Sequence, residues 1–332
     1  MHIRRLDPAE NPQDLEAVAP AFNQWREDFL PGLPDFGEAR LRHWCTSGYR
    51  QQTMVFGAFA DENANVADAV AVYGYELTKN LDLAWTQINI GTEARPRGAE
   101  TALFDEAVRQ TAELGRKRLA IGMPEPQGPP AFAARYGDGT LTDTAIMSIL
   151  DLGGIDRAQY EAWAEPSAKN SEYTLVGWVG RCPDELAESF CAAMDAMADQ
   201  PIGTFEYEFA KYDLERLRFG EELIEKAGIR RYTQAALDTD GNIAGFNVLG
   251  AYPGEPELID IWDTGVTRDH RGHGLGLRLK AAATSWVLED RPSTRLVATF
   301  NNDENQWMLG VNRAMGYEPL VKFPGYEFAI TG

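Results

Sequence analysis

The chain reads as an α+β protein of mixed α/β character, built from two related lobes in which helices flank sheets. Three observations predict this. Strand-like and helix-like stretches are interspersed along the whole length, and their order in the first half returns in the second. With 332 residues, 44% hydrophobic and 25% charged, the chain is long enough for two domains that each bury a core. No short-period repeat or low-complexity segment is visible, so the repetition is at the scale of a domain.

In the first half a strand-like segment, His2–Leu6, opens the chain. Helical stretches follow from Pro12 to Phe29 and from Phe36 to Ser47. Three apolar-rich strands come next: Thr53–Phe59, Ala67–Leu77 and Leu83–Ile90. Arg95-Pro-Arg97-Gly98-Ala-Glu100-Thr-Ala102 then leads into a helix ending at Leu114. Arg118–Gly122 is a further strand, and Thr144–Leu152 closes the unit. Residues 151–172 mix Gly, Pro and acidic residues around a short helical run, Arg157–Ala162, which is a linker composition. Domains are expected at 1–155 and 173–332, with the linker at 156–172.

The second half restarts with a strand at Tyr173–Trp178. From Pro183 to Met197 the apolar residues Leu186, Phe190, Cys191, Met194 and Met197 recur near helical spacing, and Pro183 suits a first turn. A charged helix covers Asp213–Ala227. Strands at Arg230–Leu237 and Ile243–Leu249 flank Asp238-Thr-Asp240-Gly241-Asn, where Asp-Gly signals a hairpin turn.

The stretch that organises the rest is Asp260-Ile-Trp-Asp-Thr-Gly-Val266 followed by Arg271-Gly-His-Gly-Leu-Gly276. It reads as a strand, a glycine-rich loop and a helix through Leu288. Gly272, Gly274 and Gly276 free the backbone for close approach to a ligand. The helix behind them turns unpaired N–H groups and a positive dipole end toward the loop, which suits a phosphate or pyrophosphate. The glycines are not spaced as G-x-G-x-x-G, and the Lys-Ser/Thr ending of a Walker loop is absent. A ligand-free glycine connection would fit the loop alone equally well.

Downstream, Leu296–Phe300 reads as a buried strand. Asn301-Asn-Asp-Glu-Asn305-Gln-Trp-Met308 follows, then a helix containing Asn312, then Gly316-Tyr317. The two segments together resemble the GNAT acyltransferase superfamily, with its R/Q-x-x-G-x-G/A loop and a later N-x-x-M/A motif. The resemblance covers residues 230–325 and comes nearest to the actinobacterial tandem-GNAT group that includes mycothiol synthase. It implies two tandem folds, each a mixed, largely antiparallel sheet flanked by helices. It also implies acetyl-CoA as co-substrate and transfer of its acyl group to an amine without a covalent intermediate.

Residue roles follow from the resemblance. Backbone groups of Thr264, Gly265 and Val266 would hydrogen-bond the pantetheine arm. Arg271, Gly272, His273, Gly274, Leu275, Gly276 and Leu277 would cradle the pyrophosphate, with Asn305 and Asn312 nearer the acyl end. Met308 reads as helix core. A base is expected eleven positions before Arg271, at Asp260, with Asp263 as the second candidate; simple alternation puts these two on opposite faces of the strand. The tyrosine acid common in the family is replaced by Asn312, which cannot donate a proton as an acid. Tyr317 is the remaining candidate acid.

The first half resembles a degraded copy. Aligning Arg97-Gly98 with Arg271-Gly272 sets Glu100 against Gly274, and Pro124–Pro130 replaces the second motif. This half is expected to be a non-catalytic partner.

Net charge of −20 argues against nucleic-acid and anionic-membrane partners and is compatible with a cationic amine. Cys45, Cys182 and Cys191 lack metal-site or disulfide patterning and read as small apolar residues, so no metal is expected. His270 and His273 flank the loop and read as solvated. With no signal or membrane pattern, a cytoplasmic monomer or homodimer is expected. The acceptor is expected to face Asp199–Tyr212, whose Phe205-Glu-Tyr-Glu208-Phe alternation suits a small primary amine or is simply a strand. The competing readings are a protein or peptide N-acetyltransferase and a CoA-binding regulatory protein without turnover.

Overall fold

The computed structural model describes residues 1–125, 130 and 132–330. The first half runs β1 (His2–Leu6), α1 (Pro12–Phe29), α2 (Glu38–Cys45), β2 (Gln51–Phe59), β3 (Ala69–Glu76), β4 (Leu83–Ile90), α3 (Ala99–Glu113), β5 (Arg118–Gly122), α4 (Ala133–Tyr136) and β6 (Thr140–Asp151). The second runs α5 (Arg157–Ala164), β7 (Thr174–Val179), α6 (Asp184–Met194), α7 (Leu214–Lys226), β8 (Arg230–Leu237), β9 (Ile243–Ala251), β10 (Leu258–Val266), α8 (Leu275–Asp290), β11 (Leu296–Asn302), α9 (Gln306–Met315) and β12 (Glu318–Ala329).

Local chemistry accounts for several boundaries. Asn11 accepts from the Gln13 N–H at 3.0 Å and Pro12 occupies the first helical position, which starts α1. Asp213 accepts from the Arg216 N–H at 2.8 Å and starts α7. The β8–β9 hairpin closes through the Asp238 N–H to the Asn242 carbonyl at 2.9 Å, with Gly241 at φ +83°.

The chain divides into two compact units that are interleaved in sequence. The first comprises residues 1–145, 202–208 and 321–332, and the second comprises 146–201 and 209–320. They therefore do not follow the contiguous 1–155 and 173–332 expected from composition. The physical reason is a pair of strands that each leave their own half. β6 begins in the first unit and its residues from Ile146 belong to the second, while β12 continues from the second unit into the first at Val321.

In the first unit β1 to β4 are successively antiparallel, β4 and β5 are parallel, and Gly325–Ala329 of β12 pair antiparallel with Gly122–Arg118. Its core joins Phe104 and Phe132, stacked at 3.8 Å, to Phe328. In the second unit the strand order is β6-β11-β10-β9-β8-β7. Only β10 and β11 are parallel among its described pairings. One sheet face packs on α8 through Leu249, Ile259 and Val297; the other packs on α6 and α7 through Phe246 and Val248. The mixed, largely antiparallel character expected from the resemblance is present in both units.

Residues 156–172 are not a free connection. Tyr160 is buried in the α8-side core and its hydroxyl donates to the Met315 carbonyl at 2.5 Å. Arg278 on α8 donates to the carbonyls of Ala164, Asn170 and Tyr173, tying the same segment down. Cys45, Cys182 and Cys191 are free and buried, and burial pushes their thiols up to about 12, 12 and 11. Among the described residues no helix is long and apolar enough to cross a membrane.

Candidate active site on the splayed strand

β10 and β11 pair from Leu258/Leu296 to Ile261/Thr299 and then part, although β10 continues to Val266 and β11 to Asn302. The parting coincides with a bulge in β10. Asp260 lies opposite Gly250 of β9 and Ile261 opposite Leu249, but Val248 is opposite Asp263, so Trp262 is the extra residue. Gly250 makes room for it, since a Cβ there would come within 2.0 Å of the Trp262 ring.

The bulge corrects the expectation for the two carboxylates. Asp260 and Asp263 face Gly250 and Val248, positions two apart on β9, and so they lie on one face rather than two. That face is the one covered by α6 and α7. Asp260 sits where β10 is still paired on both sides, with Ala298 of β11 beside it. Asp263 sits past the split. Burial pushes its carboxyl up to about 6, against the pull of the Arg216 and Arg231 guanidiniums. Among the described residues no donor hydrogen-bonds that carboxylate; only its backbone carbonyl accepts, from Asn247.

The rest of the splayed segment is built for backbone exposure. Thr264 is held by the Asn247 amide, which donates to its hydroxyl at 2.7 Å. Gly265 must be glycine, because a Cβ would meet the Phe246 ring at 2.7 Å. Val266 packs its side chain with Leu275 and Leu279, and its carbonyl accepts from Arg271 Nε at 3.1 Å.

Beyond it, Gly272 and Gly274 adopt φ +84° and +75°, a region closed to most side chains. Gly274 caps α8, and the first backbone bond of that helix is from the Arg278 N–H to the Gly274 carbonyl at 3.2 Å. The N–H groups of Leu275, Gly276 and Leu277 thus emerge unpaired from the helix. No atom lies within 4 Å of where a Cβ of Gly272 or Gly276 would stand. A diphosphate fits such a cradle. Leu275 is core, Leu277 is half-buried against the core, and so both can serve only through their backbones. Arg271 and Arg268 both donate to Asp199 at 2.9 Å, so one carboxylate holds two guanidiniums beside the loop. His273 rests its Nδ1 against the His270 carbonyl, and His270 Nδ1 meets the Tyr173 hydroxyl at 2.9 Å. These histidines are engaged by the protein rather than freely solvated.

Three expected roles change. Tyr317 is buried in the α8-side core with its hydroxyl unpartnered, and burial raises its pKa well above the phenol value; it lies in the core, not at the opening. Asn312 is 2% exposed. Its Oδ1 accepts from Lys280 and its Nδ2 donates to Asn301 Oδ1 at 2.7 Å, so the amide is spent inside. Asn305 caps α9, accepting from the Met308 N–H at 3.2 Å, which leaves its Nδ2 for a ligand. Met308 is half-buried, outside the core clusters.

The Phe205–Phe209 alternation is not a strand. Residues 202–208 belong to the first unit, where the Tyr207 hydroxyl donates to Glu76, Glu208 pairs with Lys79 and the Glu206 carbonyl accepts from Arg118. The Glu208 carboxylate is thus engaged there by Lys79.

The first unit departs from this arrangement. Its β4–β5 pairing also stops early, at Thr86/Ile121, yet Leu83–Ile90 carries no Asp or Glu. Gly98, φ +83°, caps α3 as Gly274 caps α8. The matching loop is therefore Arg95-x-x-Gly98-x-Glu100, which sets Glu100 against Gly276 rather than Gly274. Glu100 is 2% exposed and pairs with Arg95 at 3.3 Å, so the helix start already holds a carboxylate. Residues 126–129 of the proline-rich stretch lie outside the described residues; at its start the Glu125 N–H donates to the Lys322 carbonyl at 2.8 Å.

A parting parallel pair beside a helix start behind a glycine turn, present in both units and with Glu100 at the first unit's helix start, defines the GNAT class of acyltransferase fold. The comparisons agree. Residues 192–317 match the family described as Acetyltransferase (GNAT) family. The second half of the chain thus carries a GNAT-family acetyltransferase domain. The fold is similar to a tandem GNAT protein from the clavulanic acid biosynthesis pathway, solved without AcCoA, with a TM-score of 0.78 and 22% identity over 100% of this chain and 99% of that one. It is also similar to a GCN5-related N-acetyltransferase from Sphaerobacter thermophilus, with a TM-score of 0.63 and 15% identity over 99% and 96%. The N-myristoyltransferase of Saccharomyces cerevisiae, solved with bound myristoyl-CoA, matches with a TM-score of 0.56 and 10% identity over 99% and 80%. At these identities the likeness establishes the fold. No curated protein matches the sequence.

Proposed function

We propose that the second unit transfers the acetyl group of acetyl-CoA directly to the primary amine of a small molecule, with Asp263 as general base. The observation that carries this reading is the Asp263 carboxylate: desolvated, without a hydrogen-bond donor, and just past the point where β10 leaves β11. A base poised near 6 is deprotonated at neutral pH yet still accepts a proton from a bound ammonium. Asp260, in the doubly paired part of the strand, is the weaker candidate. The N–H groups of Leu275 to Leu277, with Arg271, would hold the diphosphate, and the splayed segment Thr264–Val266 would align the pantetheine arm. Asp263 takes one proton from the ammonium, the freed amine bonds the acyl carbon, the carbon–sulfur bond breaks and the thiolate departs, and the second nitrogen proton passes to solvent.

The test is a panel of primary amines with acetyl-CoA, following free thiol. Turnover should rise with pH through about 6 and then level, because only the carboxylate form of Asp263 accepts the proton. Calorimetry should find a single CoA site per chain, since Glu100 fills the other helix start. Tight CoA binding with silence across the panel would reject amine transfer.

A further inference from the structure

Lys280 sits in the middle of α8 and is 1% exposed, a rare situation for a lysine. It takes no part in the reading above. Its Nζ lies 4.4 Å over the Tyr317 ring and donates to Asn312 Oδ1. Burial pulls the ammonium down to about 7. Asn312 Nδ2 in turn donates to Asn301 Oδ1 at 2.7 Å.

This chain has a direction. Lys280 Nζ keeps an N–H to give as ammonium or as amine; it donates to the Asn312 oxygen, and the Asn312 NH2 donates to Asn301. Asn301 accepts with its oxygen, and among the described residues no protein group takes its NH2. Asn301 lies two residues past Thr299, the last β11 residue paired with β10, on a half-buried stretch at the mouth of the split. The buried lysine thus fixes the polarity of a donor at the opening. Neither residue expected to serve the departing thiolate is free at that opening: Tyr317 is enclosed and Asn312 is spent.

We propose that Asn301 Nδ2 hydrogen-bonds the sulfur of the thioester as it becomes a thiolate, and that Lys280 is the positioning residue that aims it through Asn312. The inference rests on the acyl-transfer reading. No proton moves along the chain: Asp263 receives one proton from the ammonium, the carbon–sulfur electron pair stays on sulfur, and solvent later protonates the free thiolate.

The experiment compares the full chain with Asn301→Ala, Lys280→Met and the double variant, using acetyl-CoA and its selenoester analogue with an amine the wild type accepts. Loss of a donor to a developing charge should lower kcat by on the order of tenfold, with the KM for acetyl-CoA changed less than about threefold. The selenolate is the better leaving group and needs less stabilisation, so the Asn301→Ala deficit should shrink with that donor. A general structural defect would persist with both. Lys280→Met should lose as much as Asn301→Ala, and the double variant no more than either, because the two act as one unit. Asn301→Ser, which keeps a donor, should recover part of the rate if the alanine variant folds poorly. Equal deficits with both acyl donors, an unchanged kcat in Asn301→Ala, or losses that multiply would each overturn the proposal while leaving acyl transfer intact. A wild type that acetylates no amine would remove the acyl-transfer reading, and this one with it.

Discussion

At the scale of single residues, the site turns on what burial does to charge. Asp263 and Lys280 occupy the same unit and are both desolvated, yet only one faces an opening. For Asp263 the consequence is kinetic. Asp263→Asn should lower kcat/KM by about two orders of magnitude and erase the rise of rate through about pH 6, while leaving CoA affinity within a factor of about two. An unaltered profile would return the role to Asp260. For Lys280 the consequence is also thermodynamic. Its folded pKa, about 7, lies below the 10.5 of a lysine in water, so between those pH values the unfolded chain binds the extra proton. Stability must then rise with pH across that window, and the Lys280 penalty is full below about 7. Urea titrations from pH 7 to 10 should show this slope in the wild type and a flatter one in Lys280→Met. Neither property was legible in the sequence. An aspartate next to Trp262 and a lysine before Ala281-Ala-Ala carry no mark of their depth, because periodicity reports a face and not how well that face is covered.

At the scale of elements, the bulge in β10 decides which carboxylate reaches the split. Alternation over Asp260–Val266 gave the wrong faces because one extra residue shifts the phase of everything after it. Its sequence trace is slight: a Gly250 on the neighbouring strand, needed only because the Trp262 ring lies over it. Gly250→Ala should therefore displace Trp262, destabilising the protein by about 1–3 kcal/mol and lowering turnover together. Denaturation midpoints and rates measured on the same preparation would check this; an unchanged rate would show that Trp262 does not set the position of Asp263. The glycine loop was far more legible. Gly272 and Gly274 are required by positive φ, and an open helix start follows them, so residue type and role coincide. The departure of the first half's loop from the glycine pattern was legible in kind but not in register. Only the cap at Gly98 shows that Glu100 stands against Gly276, with its carboxylate at the first turn of α3.

At the scale of the whole molecule, element order and type could be read almost throughout, while ownership of strands could not. Nothing in Thr140–Asp151 or Glu318–Ala329 says that part of each completes the sheet of the other half, since a strand pattern specifies which face is apolar and not which edge it joins. The consequence is testable. Residues 1–155 and 173–332 produced separately should each lack an edge strand and fail to show cooperative thermal unfolding, whereas the full chain unfolds cooperatively. Two well-folded fragments would contradict the exchange. Removing residues 321–332 should likewise unfold the first unit, although the deletion touches the far end of the sequence.

That arrangement also dictates timing. A ribosome that has finished the first 145 residues has made nearly all of one lobe and none of the strand that seals it. Residues Gly325–Ala329 must leave the exit tunnel before Arg118–Gly122, already beside β4, gains its second neighbour. The nascent chain thus waits with an open edge, and completion of the early lobe is postponed until a strand encoded in the second half has been made.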